Sequence, residues 1–149
     1  MHEEEERGTL TSREVDGASW GMAPLPIGTH CIMEFHQCTS GILNDAAALE
    51  ETLGAGIRAG KLTLVQTMVH AFAPHGLSGV AVLRESHLAM HTWPEFGFVA
   101  ADLFTCGEGG DPEAVCAALA EALRPRRYDV RWFAREALVD VGERQGRDG

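Results

Sequence analysis

The sequence predicts a two-layer α+β sandwich, a mainly antiparallel sheet with helices packed on one face. Two segments carry apolar residues at helical spacing, and six carry β-branched and apolar residues in runs of strand length. They succeed one another as strand, helix, several strands, helix, strand, the order of a sheet covered on one side. A chain of 149 residues suits one core, and 45% hydrophobic with 23% charged residues excludes collagen-like and wholly disordered chains.

Residues 1–27 open on the acidic run Glu3 to Glu6, contain Gly17, Gly21, Pro24 and Pro26, and lack a sustained apolar period. A flexible acidic extension is expected there, then the folded domain over 28–135 and a C-terminal tail over 136–149. Thr29 to Gln37 reads as a half-buried strand with Cys31, Met33 and Phe35 on one side. After a Thr39-Ser40-Gly41 turn, Asn44 or Asp45 caps a helix reaching Arg58 or Ala59, striped by Leu49, Leu53 and Ile57 and stopped by Gly60. Gly54 and Gly56 weaken the expectation of its length. Lys61 to Phe72 is a longer strand, and Pro74, Gly76 and Gly79 predict a turn-rich connection. Val80 to Leu83, His87 to Trp93 and Phe98 to Thr105 continue as a meander. Asp111-Pro112-Glu113 starts a second helix, striped by Val115, Leu119 and Leu123 and ended by Pro125. Tyr128 to Phe133 is the last strand.

Twelve Lys and Arg against 22 Asp and Glu give a formal charge of −10, which repels nucleic acid and favours a cationic small molecule. The start lacks the basic and apolar stretches of a secretory signal, and no 18-residue apolar run offers a membrane span. A cytoplasmic protein is expected. Cys31, Cys38, Cys106 and Cys116 form no C-x-x-C pair, so neither a zinc knuckle nor a disulfide framework is expected. His87 and His91 would share one zinc on a helix, but on a strand they stand roughly 13 Å apart, so no metal site is expected. Gly76-Leu77-Ser78-Gly79 lacks the G-x-S-x-G spacing of a nucleophile elbow, and no glycine-rich phosphate loop occurs.

Three motifs stand in order: Glu85-Ser86-His87-Leu88, His91-Thr92-Trp93-Pro94-Glu95, and Asp102-Leu103-Phe104-Thr105-Cys106-Gly107. His70-Ala71-Phe72-Ala73-Pro74-His75-Gly76-Leu77-Ser78-Gly79 precedes them. From about Gly28 to Phe133 the chain resembles the small prokaryotic S-adenosylmethionine decarboxylases, which are made as inactive proenzymes. The resemblance implies that Ser86 attacks the Glu85 carbonyl, turning the peptide bond into an ester, and that elimination and hydrolysis leave a covalent pyruvoyl group, the cofactor, at position 86. A strained turn between two strands suits such an attack. It implies His91 as the acceptor of the α-proton, aided by Ser78. The pyruvoyl carbonyl would form a Schiff base with substrate and draw electrons from the bond to the carboxylate, with Cys106 protonating the carbanion. Glu95 would accept hydrogen bonds from ribose hydroxyls and Phe72 would stack on adenine. Glu34 and His70 lie in matching stretches without an assigned role. Outside the motifs each of these residues also has a plainer reading: a strand-junction serine, a half-buried histidine, a buried thiol, a core aromatic.

The implied activity is decarboxylation of S-adenosylmethionine for spermidine synthesis by a homodimer of cleaved protomers, with the division of site residues between protomers left open. Arg84 stands where the family more often has serine. A pyruvoyl-dependent ornithine or arginine decarboxylase, a silent regulatory subunit and a metal-binding module on His87 and His91 are the alternatives.

Overall fold

The computed structural model describes residues 21–107 and 109–141; the remainder of the expected acidic extension and C-terminal tail lies outside the described residues. Its elements run β1 (Met22–His36), a 3-10 turn (Gly41–Asn44), α1 (Ala46–Ala59), β2 (Leu64–Ala71), β3 (Leu77–Leu83) and β4 (Ser86–Trp93). A second 3-10 turn (Pro94–Phe96), β5 (Phe98–Cys106), α2 (Pro112–Leu123) and β6 (Arg127–Asp140) complete it. The strands form one six-stranded sheet in the order β2-β3-β4-β5-β1-β6, with the ladders from β2 to β5 and between β5 and β1 antiparallel. The α+β sandwich predicted from the sequence is the fold observed. Among the described residues no helix is long and apolar enough to cross a membrane.

Both helices start where short polar side chains can accept from free backbone amides. The Asp45 carboxylate accepts from the Ala48 N–H at 3.1 Å, and the Asp111 carboxylate from the Ala114 N–H at 3.1 Å. Asn44, the other candidate cap, instead accepts from the Gly76 N–H at 3.1 Å and ties the β2–β3 loop down. The stripes land as spaced: Leu49, Leu53, Ile57, Val115, Leu119 and Leu123 are buried. They meet Cys31, Met33, Phe35, Leu88, Met90, Val99 and Leu103, the alternate residues of the central strands.

Several boundaries differ from the expectation. Gly54 and Gly56 do not interrupt α1; at Gly56 a Cβ would stand 3.2 Å from Leu119 Cδ2, so the glycine lets α2 close in. Gly79 lies inside β3, not in a connection, because α1 packs directly onto it: a Cβ there would sit 2.9 Å from Leu53 Cδ1. β1 starts at Met22, within the region read as extension, and β6 runs past Phe133 to Asp140.

Two compact units divide the chain at these extra lengths. The core and every candidate site residue belong to Ile27–Arg135. Of the described residues, the other unit holds 21–26 and 136–141; within it Val141 N–H donates to the Gly21 carbonyl at 3.0 Å.

The sheet face turned away from the helices positions the chemistry. Register places residues in rows across it: His70, Ser78, His91, Ala100 and Glu34 in one, and Val82, His87, Phe104 and His30 in another. Between them run Met68, Val80, Ala89, Asp102 and Ile32.

Candidate active site

The turn Arg84-Glu85 joins β3 to β4, and Ser86 is the first residue of β4. Ser86 has φ +151°, a backbone region that residues with a side chain rarely adopt, so the surrounding structure must hold it there. The Glu85 carbonyl oxygen accepts two hydrogen bonds from one residue, the Cys106 N–H at 2.9 Å and the Cys106 thiol at 3.0 Å. The Glu85 side chain accepts from the Thr63 N–H at 3.1 and 3.2 Å, and the Arg84 N–H donates to the Thr63 carbonyl at 2.9 Å. Slight desolvation pushes the Glu85 carboxyl up, but the Thr63 bonds and the Arg84 charge outweigh it and leave it below its ordinary value. The structure therefore unites Glu85, Ser86 and Cys106.

The other expected residues gather elsewhere. Ser78 Oγ and His91 Nδ1 are 2.7 Å apart, opposite one another on β3 and β4. With Phe72, His75, Trp93 and Glu95 they line a pocket of about 320 Å³. Its floor is fixed by the buried Thr92, whose hydroxyl donates to the Leu43 carbonyl at 2.6 Å and accepts from the Leu77 N–H at 2.9 Å. Phe72 is 52% exposed, its ring edge-on to His70 at 4.6 Å, so it is not a core side chain. Glu95 pairs with His75 at 2.8 Å. On β4, Ser86 and His91 are five residues apart, roughly 16 Å along a strand, so one chain holds the two groups separately.

Sequence reading missed Asp102, His30 and His75. His87 turns to Asp102, whose Oδ2 lies 2.6 Å from His87 Nε2 and 2.9 Å from His30 Nε2. Burial pushes the Asp102 carboxyl up, but the hydrogen bonds from the two rings outweigh it and hold it below its ordinary value. Although His87 and His91 are too far apart to share an ion, His87 does acquire two neighbours of ligand type. Arg135 Nη1 stands 2.8 Å from His30 Nδ1, and a guanidinium donates only. A His30 bound to metal through Nε2 would carry a proton on Nδ1 and meet that donor head-on. Glu34, His36 and Asp129 form a second such group, looser, with His36 Nε2 3.3 Å from Asp129 and 3.9 Å from Glu34. Cys31 and Cys116 are buried with their sulfurs 3.5 Å apart, Cys38 is half-buried, and Cys106 is the exposed thiol.

The chain is similar to known proteins over most of its length. Residues 29–136 match the family model described as S-adenosylmethionine decarboxylase. An S-adenosylmethionine decarboxylase proenzyme from Parasynechococcus marenigrum is 41% identical over 117 residues, 78% of this chain and 91% of the relative. One from Methanococcus aeolicus is 40% identical over 114 residues, 76% of this chain and 97% of that one. The crystal structure of the adenosylmethionine decarboxylase from Aquifex aeolicus superposes with a TM-score of 0.69 at 27% identity, covering 74% of this chain and 91% of that chain. A family model that matches residues 29–136 and relatives about 40% identical over most of their own length mean that the chain belongs to the S-adenosylmethionine decarboxylase family.

Proposed function

We propose that the chain is a proenzyme that cuts itself between Glu85 and Ser86 and then decarboxylates S-adenosylmethionine. One observation carries this reading: a serine with φ +151° succeeds a carbonyl already gripped by two donors. When Ser86 Oγ adds to the Glu85 carbonyl carbon, negative charge develops on the oxygen to which the Cys106 N–H and thiol point. The C–N bond breaks as its nitrogen takes a proton, leaving an ester. Removal of the Ser86 α-proton expels the Glu85 carboxylate and leaves dehydroalanine; its imine tautomer is hydrolysed by water, releasing ammonia and leaving the pyruvoyl group. His91 is the base for that proton, with Ser78 holding its ring.

The pyruvoyl group, once formed, supplies an electron-accepting carbonyl for loss of CO2. The chain's own residues do the rest. Cys106 returns a proton to the substrate carbon, Phe72 offers an exposed aromatic face to adenine, and Glu95 accepts from the ribose hydroxyls.

A second copy completes the site. A span of roughly 16 Å between Ser86 and His91 is too long for direct proton transfer. The sheet face that bears Ser78 and His91 is uncovered by helices and exposes Met68 and Val82. A two-fold homodimer packed through this face brings Phe72, Ser78, His91 and Glu95 of one protomer to Ser86 and Cys106 of its partner.

Release of labelled CO2 from S-adenosylmethionine, ornithine and arginine, read beside intact mass, tests the proposal. Expected are two fragments, residues 1–85 and 86–149, and release from S-adenosylmethionine alone. A Ser86→Ala chain stays whole and releases none. A parent chain of full mass after prolonged incubation, or activity confined to a basic amino acid, overturns the reading.

A further inference from the structure

We infer that His30, Asp102 and His87 form a clamp for the chain end that self-cleavage creates. The inference rests on the cleavage reading and concerns the protein after the cut. While the chain is whole, the Arg84-Glu85 turn ties the start of β4 to β3. Once the 85–86 bond is gone, residue 86 is a chain terminus, and termini fray unless something fixes them. Fraying there would carry the reactive carbonyl away from Cys106.

The first side chain beyond the cut is His87, and it is tied across three further strands. Its Nε2 meets Asp102 Oδ2 on β5 at 2.6 Å, and the same oxygen takes His30 Nε2 of β1 at 2.9 Å. Arg135 of β6 completes the series at 2.8 Å from His30 Nδ1. The donors fix the proton positions. Arg135 has no lone pair to offer, so His30 Nδ1 accepts and its proton sits on Nε2, directed at the Asp102 carboxylate. His87 donates to that oxygen from the opposite side. Phe104 lies in register between the two histidines, 5.5 Å from the His30 ring and 6.1 Å from the His87 ring, with the Arg135 guanidinium 5.5 Å above it. The other new end is held as well, by Thr63 on the Glu85 side chain and by Cys106 on its carbonyl. The bonds of His87 and of the Glu85 side chain do not involve the peptide that is cut and outlast it, while the Glu85 carbonyl held by Cys106 becomes part of the new terminal carboxylate. Asp102 and His30 are thus positioning residues, acting on residue 86 through His87.

Hydrogen exchange by mass spectrometry on the cleaved enzyme tests the clamp. In cleaved Asp102→Ala protein the amides of residues 87–90 should exchange about tenfold faster than in the cleaved parent. In the uncleaved Ser86→Ala background the same substitution should change them less than about threefold, because the turn still holds the strand. Turnover in Asp102→Ala should fall about tenfold with KM within about twofold, and Asp102→Asn, which keeps one acceptor oxygen, should recover part of it. If Asp102→Ala does not fold, His30→Gln gives the same comparison. Equal protection in cleaved parent and variant overturns the clamp, as does equal loss in the uncleaved background, which would mark a merely structural contact. Intact mass separates the two failures: an uncut parent chain overturns the cleavage reading and the clamp together, while a cut chain with unchanged protection overturns the clamp alone.

Discussion

At Cys106 two donors of different strength, an amide at 2.9 Å and a thiol at 3.0 Å, converge on one carbonyl oxygen. The amide survives any substitution there, so Cys106→Ala should slow self-cleavage by about ten- to a hundredfold without abolishing it, with Cys106→Ser intermediate; a time course of fragment appearance on a gel measures this. Unchanged kinetics in both would remove the thiol from the attack step. Asp102 yields a pH prediction. Its carboxyl lies below the ordinary value of 3.8, so its stabilising contribution is complete above that value and disappears as pH falls through the folded pKa. Acid unfolding monitored by tryptophan fluorescence should therefore be less steep for Asp102→Asn than for the parent below about pH 4, with the two lines parallel near neutrality. Ser86, Cys106 and His91 stand in contiguous motifs, so the sequence alone singles them out. Asp102, His30 and His75 are not so singled out, since their side-chain contacts join residues 72, 15 or 20 positions apart and exist only once the register is set.

Among the elements, β3 shows where local signals mislead. Glycine punctuates loops far more often than it fills strands, so Gly76 and Gly79 read together as a connection. Gly79 is in the strand because Leu53 and Leu49 of α1 press on it, at 2.9 and 3.2 Å from where a Cβ would stand. Gly79→Ala should destabilise the protein by about 1–3 kcal/mol in urea unfolding, α1 having to move off the sheet, whereas an unchanged midpoint would mean that the helix yields freely. The helices were legible nearly to the residue, since caps and stripes are written within each segment. The outer lengths of β1 and β6 were not. Pro24 and Pro26 argue against a central strand, and they lie ahead of Gly28, where the β5 ladder begins.

For the whole molecule, the separation of Ser86 from His91 makes a prediction about pairs of chains. Ser86→Ala and His91→Ala chains should each remain uncut when expressed alone. Co-expressed, they assemble one intact combination per mixed dimer, and the His91→Ala chain should then be cut in about half of the molecules. No cleavage in the mixture would place the whole reaction within a single protomer. The strand order has a consequence of another kind. A nick after Glu85 assigns β1, α1, β2 and β3 to one piece and β4, β5, α2 and β6 to the other. In the order β2-β3-β4-β5-β1-β6, a strand of the first piece is threaded between two strands of the second. The halves are interlaced, and they come apart only if β1 is stripped from both flanks while β3 leaves β4. Such a nick would sever the thread without loosening the weave, and a melted, nicked protein could re-form only when two separate strings met again by diffusion.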